Sequence, residues 1–263
     1  MKKGGISGKA HKAILFVLLT VAVGCGVYLF HYYADAQNSM KDMRQLSSKS
    51  AVSNISNEVS SGTASKISAA PEILPRFQSL RKENADIAGW VKIDGTNINY
   101  PVMFTPKDPE FYLHRNFKKK EENRGLPFFD AGTDLHTSAN YLVYGHNMKD
   151  GTEFADLVKY RSKDYWKAHP TISFDTLYET GKYQVLAAFN SKVYRQNDNV
   201  FKYYKFSGQA TRAEYSSFVF NVKKLSLYQT GVTAEYGDRL LTLSTCSNYT
   251  LDGRFAVVAK KVS

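Results

Sequence analysis

Residues 240–262 read LLTLSTCSNYTLDGRFAVVAKKV, and the fold turns on how this stretch is read. Two apolar runs, 240–243 and 255–259, each have the length and composition of a buried strand. The polar connection between them opens with Cys246 and closes with Arg254. Two neighbouring strands of this kind bring a thiol at the end of the first to a guanidinium at the start of the second. A base facing them from elsewhere completes a catalytic site. The best-placed histidine is His146, in YLVYGHN, which also ends an apolar run.

Outward from this stretch the chain holds many short strands and few helices. Apolar residues at Ile73, Leu74, Phe77, Leu80 and Ile87 predict an amphipathic helix over 73–88. A strand at 90–93, a turn at Asp94-Gly95 and a partner strand over 96–104 follow. Residues 111–117 and 126–130 are aromatic-rich and suit the lining of a groove. Residues 139–146 read as a strand, 152–160 and 163–167 as short helices, and 171–176 and 183–194 as strands. A helix is expected over 209–221, before the two closing strands. This pattern predicts a mainly β fold, a closed or nearly closed barrel with peripheral helices.

The N-terminal region has a different character. Residues 1–12 are short and cationic, and residues 13–30 (AILFVLLTVAVGCGVYLF) carry no charge. Eighteen such residues are just long enough to cross a hydrocarbon core of about 30 Å. His31, Tyr32 and Tyr33 suit the interface beyond it. Lysines before the span orient the N-terminus to the cytoplasm and the rest outside. The rival reading is a cleaved signal peptide, since Ala34-Asp35-Ala36 fits a small-x-small site. The domain organisation expected is 1–12 cytoplasmic, 13–33 a signal-anchor, 34–72 a stalk or partly helical spacer with little core of its own, and 73–263 the folded domain.

Bulk properties narrow the function. Lys and Arg number 35 against 24 Asp and Glu, a formal net charge of +11. Outside a membrane this suits a surface facing anionic lipid or wall polymer. No zinc-finger spacing, RNP-type aromatic motif or helix-turn-helix supports nucleic acid as the partner. Of the two cysteines, Cys25 lies inside the apolar segment, which leaves Cys246 as a lone thiol in the folded part. A leftover thiol in an exported chain is a candidate for reactivity, against the plainer reading of an inert core cysteine.

From residue 73 to the C-terminus the chain resembles the sortases, the cysteine transpeptidases of Gram-positive bacterial surfaces, and class B most closely. The residues that carry the likeness are Thr242-Leu243-Ser244-Thr245-Cys246 with Arg254 downstream, and Tyr144-Gly145-His146-Asn147-Met148 followed by KDGTEF. Gly89-Trp90-Val91 leading to GTNINYPV over residues 95–102 adds to it. The resemblance implies an eight-stranded β-barrel with an N-terminal helix and a helix between the sixth and seventh strands, where 209–221 sits. One departure is a short Cys-to-Arg connection carrying Asn248 where some class B members have an acid.

By that resemblance Cys246 is the nucleophile, His146 the general acid and then base, and Arg254 the group that holds substrate and oxyanion. Each role suits the chemistry of its side chain. A thiolate attacks an amide carbonyl to leave a thioester that an amine resolves, imidazole titrates near neutral pH, and a guanidinium is never a base. The rival reading for Arg254 is a surface salt bridge with Asp252. Leu113, Tyr144 and Ser244 are implied as substrate-binding, with residues 193–204 as one groove wall; each also suits plain barrel packing. The implied substrates are surface proteins ending in an Asn-Pro-x-Thr-Asn or Pro-x-Thr-Gly type of sorting signal. The chain would be cut after Thr and transferred to an amine of peptidoglycan or its lipid-linked precursor. No metal or other cofactor is expected. Competing functions are a pilin polymerase and a silent membrane-tethered binding module. Asp108-Pro109-Glu110-Phe111 only partly echoes a pilin-type lid motif, and retention of Cys246, His146 and Arg254 speaks against the silent module.

Overall fold

The structure is a computed structural model that describes residues 8–58, 72–247 and 252–263. Two compact units are present, Met1–Asp42 and Met43–Ser263. The first helix, α1 (Gly8–Glu58), contains a stretch long and apolar enough to cross a membrane, with a peak mean hydropathy of 2.5 and side chains from Ile14 to Phe30 exposed.

Eight strands form a closed barrel in the second unit: β1 (Ile87–Lys92), β2 (Asn99–Met103), β3 (Phe128–Phe129), β4 (Asn140–Gly145), β5 (Thr171–Thr176), β6 (Lys182–Lys192), β7 (Leu240–Cys246) and β8 (Gly253–Lys261). Their order around the barrel is β1-β2-β3-β4-β7-β8-β6-β5. Most neighbours are antiparallel, but β2 and β3 pair parallel at Met103 and Phe128, and β4 and β7 run parallel, Asn140 beside Leu240 through Gly145 beside Thr245. Three further helices complete the unit, α2 (Pro75–Glu83), α3 (Lys163–Ala168) and α4 (Arg212–Leu225), together with 3₁₀ turns at Phe111–His114, Ala155–Arg161 and Tyr203–Lys205.

The continuous apolar runs of β7 and β8 follow from burial on both faces. Leu241, Leu243, Phe255, Val257 and Ala259 belong to a core drawn from all eight strands. Leu240, Ala256 and Val258 lie on the other face, beneath α4. That helix buries Tyr215, Phe218, Val219 and Val222, the i, i+3, i+4, i+7 stripe of an amphipathic helix. Its start is set by a capping box, in which Thr211 Oγ1 accepts from Glu214 N and the Glu214 carboxylate accepts from Thr211 N at 2.8 Å. Such caps contribute about 1 kcal/mol.

Two expectations are corrected. The helix expected over 73–88 stops at Glu83, because Asn84 turns the chain into β1. Its side-chain amide donates to Tyr112 Oη and to Phe117 O, both at 2.7 Å, and its Oδ1 accepts from Asp86 N. The segment expected over 34–72 as a stalk or partly helical spacer is helical to Glu58, and the folded unit begins at Met43 rather than at residue 73. Met43, Leu46 and Ser50 share one helical face and are buried, and Ser50 Oγ accepts from Arg76 Nε at 2.8 Å. Three such residues in an otherwise polar stretch are a weak periodic signal, which is why composition alone suggests a spacer.

Candidate active site

Strand register determines which side chains meet. Cys246 is paired with Arg254 across β7 and β8, and Ser244 with Ala256. On the parallel side Tyr144 pairs with Ser244, and His146 follows directly after β4. Side chains alternate along a strand, so Cys246, Ser244, Thr242 and Leu240 share one face with Arg254, Ala256 and Val258 and with Tyr144 and Leu142. This is the face that α4 covers at its apolar end, where Leu142, Leu240 and Val258 lie. At the other end it opens as a cavity of about 450 Å³, whose lining includes all six residues singled out in the sequence: Cys246, His146, Arg254, Leu113, Tyr144 and Ser244.

Each of the three candidate reactive groups is held differently. The Cys246 side chain is exposed and free, while its carbonyl accepts from Asn147 Nδ2 at 3.1 Å. His146 Nε2 lies 2.8 Å from Leu113 O. A carbonyl only accepts, so Nε2 carries the proton and the neutral ring keeps its lone pair on Nδ1. The His114 ring stacks on His146 with centroids 5.6 Å apart. Burial lowers the His146 pKa, the Leu113 carbonyl opposes this, and His114 adds to it, so the imidazole is neutral at neutral pH. Arg254 donates to Gly253 O at 3.1 Å and makes no ion pair with a described residue, Asp252 included.

The loop after His146 folds straight back on itself. Phe154 N donates to His146 O at 2.8 Å, and the Phe154 ring would stand 2.6 Å from a Cβ at Gly145, so only glycine fits there. Arg124, nine-tenths buried or more, pairs with Asp150 and donates to Thr152 Oγ1 at 3.0 Å. Glu153 closes the loop at φ 54°, fully buried, with neither carboxyl oxygen hydrogen-bonded among the described residues. Burial pushes its pKa well above the carboxylate range, with Glu122 and Asp150 adding and Arg124 opposing. The folded state therefore holds this proton more tightly than the unfolded chain, and stability falls as pH rises above the unfolded carboxylate value. Glu153→Gln should raise Tm by roughly 3 °C or more at pH 8, with the gain vanishing near pH 4, as read by thermal unfolding across that range. A gain equal at both pH values would mean that the charge is not the cost.

The wall formed by the chain between β6 and α4 is pinned to the barrel by polar side chains. Tyr203 Oη and Ser244 Oγ are 2.6 Å apart and buried. Asn140 Nδ2 donates to Phe206 O at 2.6 Å while its Oδ1 accepts from Thr242 Oγ1. Ser207 Oγ donates to Asp130 Oδ1 at 2.5 Å, and Tyr144 Oη to Asp130 Oδ2 at 3.3 Å. Val193, Tyr203 and Tyr204 line the cavity, in the segment expected to form a wall. Leu113, Phe128 and Asp130, from the two aromatic-rich stretches expected to suit a groove, line it as well, and so do Pro109 and Glu110 of the partial lid echo. Asn248, the departure noted above, lies outside the described residues.

Comparison with known proteins agrees with this arrangement. The sortase domain family model matches residues 91–262. Sortase B of Listeria monocytogenes is 35% identical over 176 residues, 66% of this chain and 68% of the relative. The structure of a Staphylococcus aureus sortase B–substrate complex superposes with a TM-score of 0.72 at 28% identity, covering 87% of this chain and 98% of that one. A sortase B complexed with triglycine gives a TM-score of 0.70 at 27% identity, covering 87% and 99%. With an eight-stranded barrel, a thiol and a guanidinium paired at one end of it and a histidine beside them, the chain belongs to the sortase family, the cysteine transpeptidases that anchor proteins to the cell surface, and its relatives are sortase B enzymes.

Proposed function

We propose that this chain is a membrane-anchored sortase that cuts a C-terminal sorting signal of the Asn-Pro-x-Thr-Asn or Pro-x-Thr-Gly kind after Thr. The released acyl group goes to an amine of peptidoglycan or its lipid-linked precursor. The observation that carries the reading is the convergence of Cys246, His146 and Arg254 on one open cavity. The related sortase B structures with a substrate and with triglycine support a peptide donor and an amine acceptor.

The chemistry follows from the groups in place. Neutral His146 takes the Cys246 proton, and the thiolate attacks the carbonyl carbon of Thr. Negative charge moves to the carbonyl oxygen, where the Arg254 guanidinium stabilises it. The tetrahedral carbon collapses as the C–N bond breaks, and His146 returns its proton to the departing amine. An incoming amine then gives a proton to His146, attacks the thioester and releases the Cys246 thiol. Leu113 serves twice, through a side chain in the groove and a carbonyl that orients His146. Tyr144 lines the groove beside Asp130. Ser244 is fully buried, so its part is to hold Tyr203 in the wall.

Residues 1–12 are assigned to the cytoplasm, 13–33 to a signal-anchor, 34–72 to the segment beyond it and 73–263 to the catalytic domain outside. The apolar stretch of α1 supports the anchor. The test is to incubate the full-length chain in detergent with quenched fluorescent sorting peptides, with and without triglycine. Cleavage, an acyl adduct on Cys246 by intact mass and a triglycine-ligated product are expected. A cut peptide with no adduct on Cys246 would refute the mechanism.

A further inference from the structure

A second guanidinium stands on the reverse side of the strands that carry the first. Side chains alternate along β7 and β8, so the face opposite Cys246 and Arg254 carries Thr245 and Phe255, which pair with each other and are buried. Ser247 follows on that side and is buried too, and its N–H donates to Gly253 O at 2.9 Å, which carries the ladder one bond past Cys246. Arg161, the last residue of the 3₁₀ turn Ala155–Arg161, reaches this face. Its Nη2 donates to Ser247 Oγ at 2.5 Å and its Nε to Asn190 Oδ1 at 3.2 Å, and its guanidinium carbon lies 5.3 Å from the centre of the Phe255 ring.

One side chain thus touches the adjacent strands β7, β8 and β6 at their reactive end. Asn190 pairs with Phe255 and Ser191 with Arg254, so the contacts fall on the rungs next to Cys246 and Arg254. The turn that presents Arg161 is itself fixed. Tyr160 is fully buried, its Oη donates to His169 O at 2.7 Å, and its carbonyl accepts from Tyr228 Oη at 2.8 Å. Arg161 makes no ion pair with a described residue; its donors go to neutral acceptors beside the thiol. A guanidinium whose two donors are set on different strands fixes the spacing between them, which a solubilising surface arginine has no need to do. On the same face Thr245 Oγ1 donates to Gly145 O at 2.7 Å, tying β7 to the residue before His146.

On the reading that Cys246 is the nucleophile and Arg254 meets the oxyanion, we propose that Arg161 is a positioning residue, which locks Ser247 and the ends of β6, β7 and β8 so that thiol and guanidinium face the same carbonyl. Arg161 is not among the residues that line the cavity, so it meets no substrate there, and its effect passes through Ser247 and the backbone bond from Ser247 to Gly253. Acyl transfer needs the sulfur, the scissile carbon and the oxyanion donor aligned, and a misplacement of about 1 Å can cost about a hundredfold in rate. A lysine at 161 would keep the charge but reach only one of the two strands.

The test uses the full-length chain in detergent with the quenched sorting peptides, and compares Arg161→Gln, Arg161→Lys and Ser247→Ala. Arg161→Gln should lower kcat roughly tenfold per folded molecule, with KM within about twofold, at a temperature where circular dichroism shows the variant folded. Arg161→Lys should recover only part of the loss. Ser247→Ala should lose part of the rate, and adding it to Arg161→Gln should cost little more, because both changes break one contact. A second readout needs no peptide substrate: alkylation of Cys246 by iodoacetamide, separated from Cys25 by peptide mapping. It should slow several-fold in Arg161→Gln, since a thiol out of place beside its imidazole and guanidinium is less often a thiolate. Unchanged kcat and alkylation, a loss that follows only the unfolded fraction, or a fall in kcat/KM carried wholly by KM would each overturn the inference. A parent chain that cuts no sorting peptide would overturn the sorting-peptide reading instead, and the alkylation rates would still decide the role of Arg161.

Discussion

Cys246→Ala in the full-length chain is expected to lower peptide cleavage on the order of 10⁴-fold or more, to the level of background. The size follows from the role. Without sulfur there is no covalent intermediate, and removing a nucleophile from a group of residues that act as a unit costs nearly the whole rate enhancement. The fold should not suffer. Cys246 is exposed at the end of β7, so truncation leaves no core cavity, and its backbone bonds, including Asn147 Nδ2 to its carbonyl, do not involve the thiol. Tm should stay within about 1–2 °C of the parent, since surface changes are usually within about 0.5 kcal/mol. Peptide binding, followed by fluorescence anisotropy, should persist because the groove is built by other residues. The decisive readout is intact mass: the parent gains the acyl mass and the variant does not. A variant that still cuts would mean that the thiol is not the nucleophile, and Arg254 and His146 would then need another partner.

Much of this site is legible in the sequence, and the reason is covalent proximity to strong patterns. Cys246 and Arg254 sit at the ends of two apolar runs, and pairing those runs as neighbours already places them together; the register Cys246 beside Arg254 is what the structure adds. His146 ends a run of its own, but nothing local says that β4 lies parallel to β7, a contact across about a hundred residues. The resemblance to sortases supplies that link. What is not legible depends on tertiary contacts with no local signature. Asn84 ends α2 early through bonds to Tyr112 and Phe117, more than two dozen residues away. Residues 43–50 join the folded unit through Met43, Leu46 and Ser50, too few to mark a stripe in a polar segment. Asp130 and Glu110 lie in stretches the sequence points to, 126–130 and the partial lid echo, but that both face one cavity is visible only in the structure. Glu153 breaks local rules three times over, by its backbone angle, its burial and its unpartnered oxygens, and violations of that kind gather next to functional sites.

Arg254→Ala is expected to lower kcat by roughly 10²–10³ with a smaller change in KM, and Arg254→Lys to recover only part of that loss. The first figure is what removing one oxyanion donor costs when the charge it meets develops only in the transition state. The second follows from shape. Arg254 emerges from the start of β8 opposite Cys246, and among the described residues its guanidinium is anchored by a single bond to Gly253 O, which leaves donors for substrate. A lysine ammonium keeps the charge but loses the planar fork, so it meets the oxyanion without the paired geometry. Full activity in the lysine variant would show that charge alone suffices, and equal loss of kcat and rise in KM would assign Arg254 to ground-state binding instead. The pH profile separates Arg254 from His146. The acid limb belongs to an imidazole that burial and the neighbouring His114 hold below the ordinary histidine value, and it should lie there in the parent. A guanidinium stays protonated throughout that range, so neither Arg254 variant should abolish the limb, although losing a nearby cation should move it slightly upward. If the limb vanished with Arg254, the proton being titrated would not be the one on His146, and the assignment of acid and base would have to be reversed.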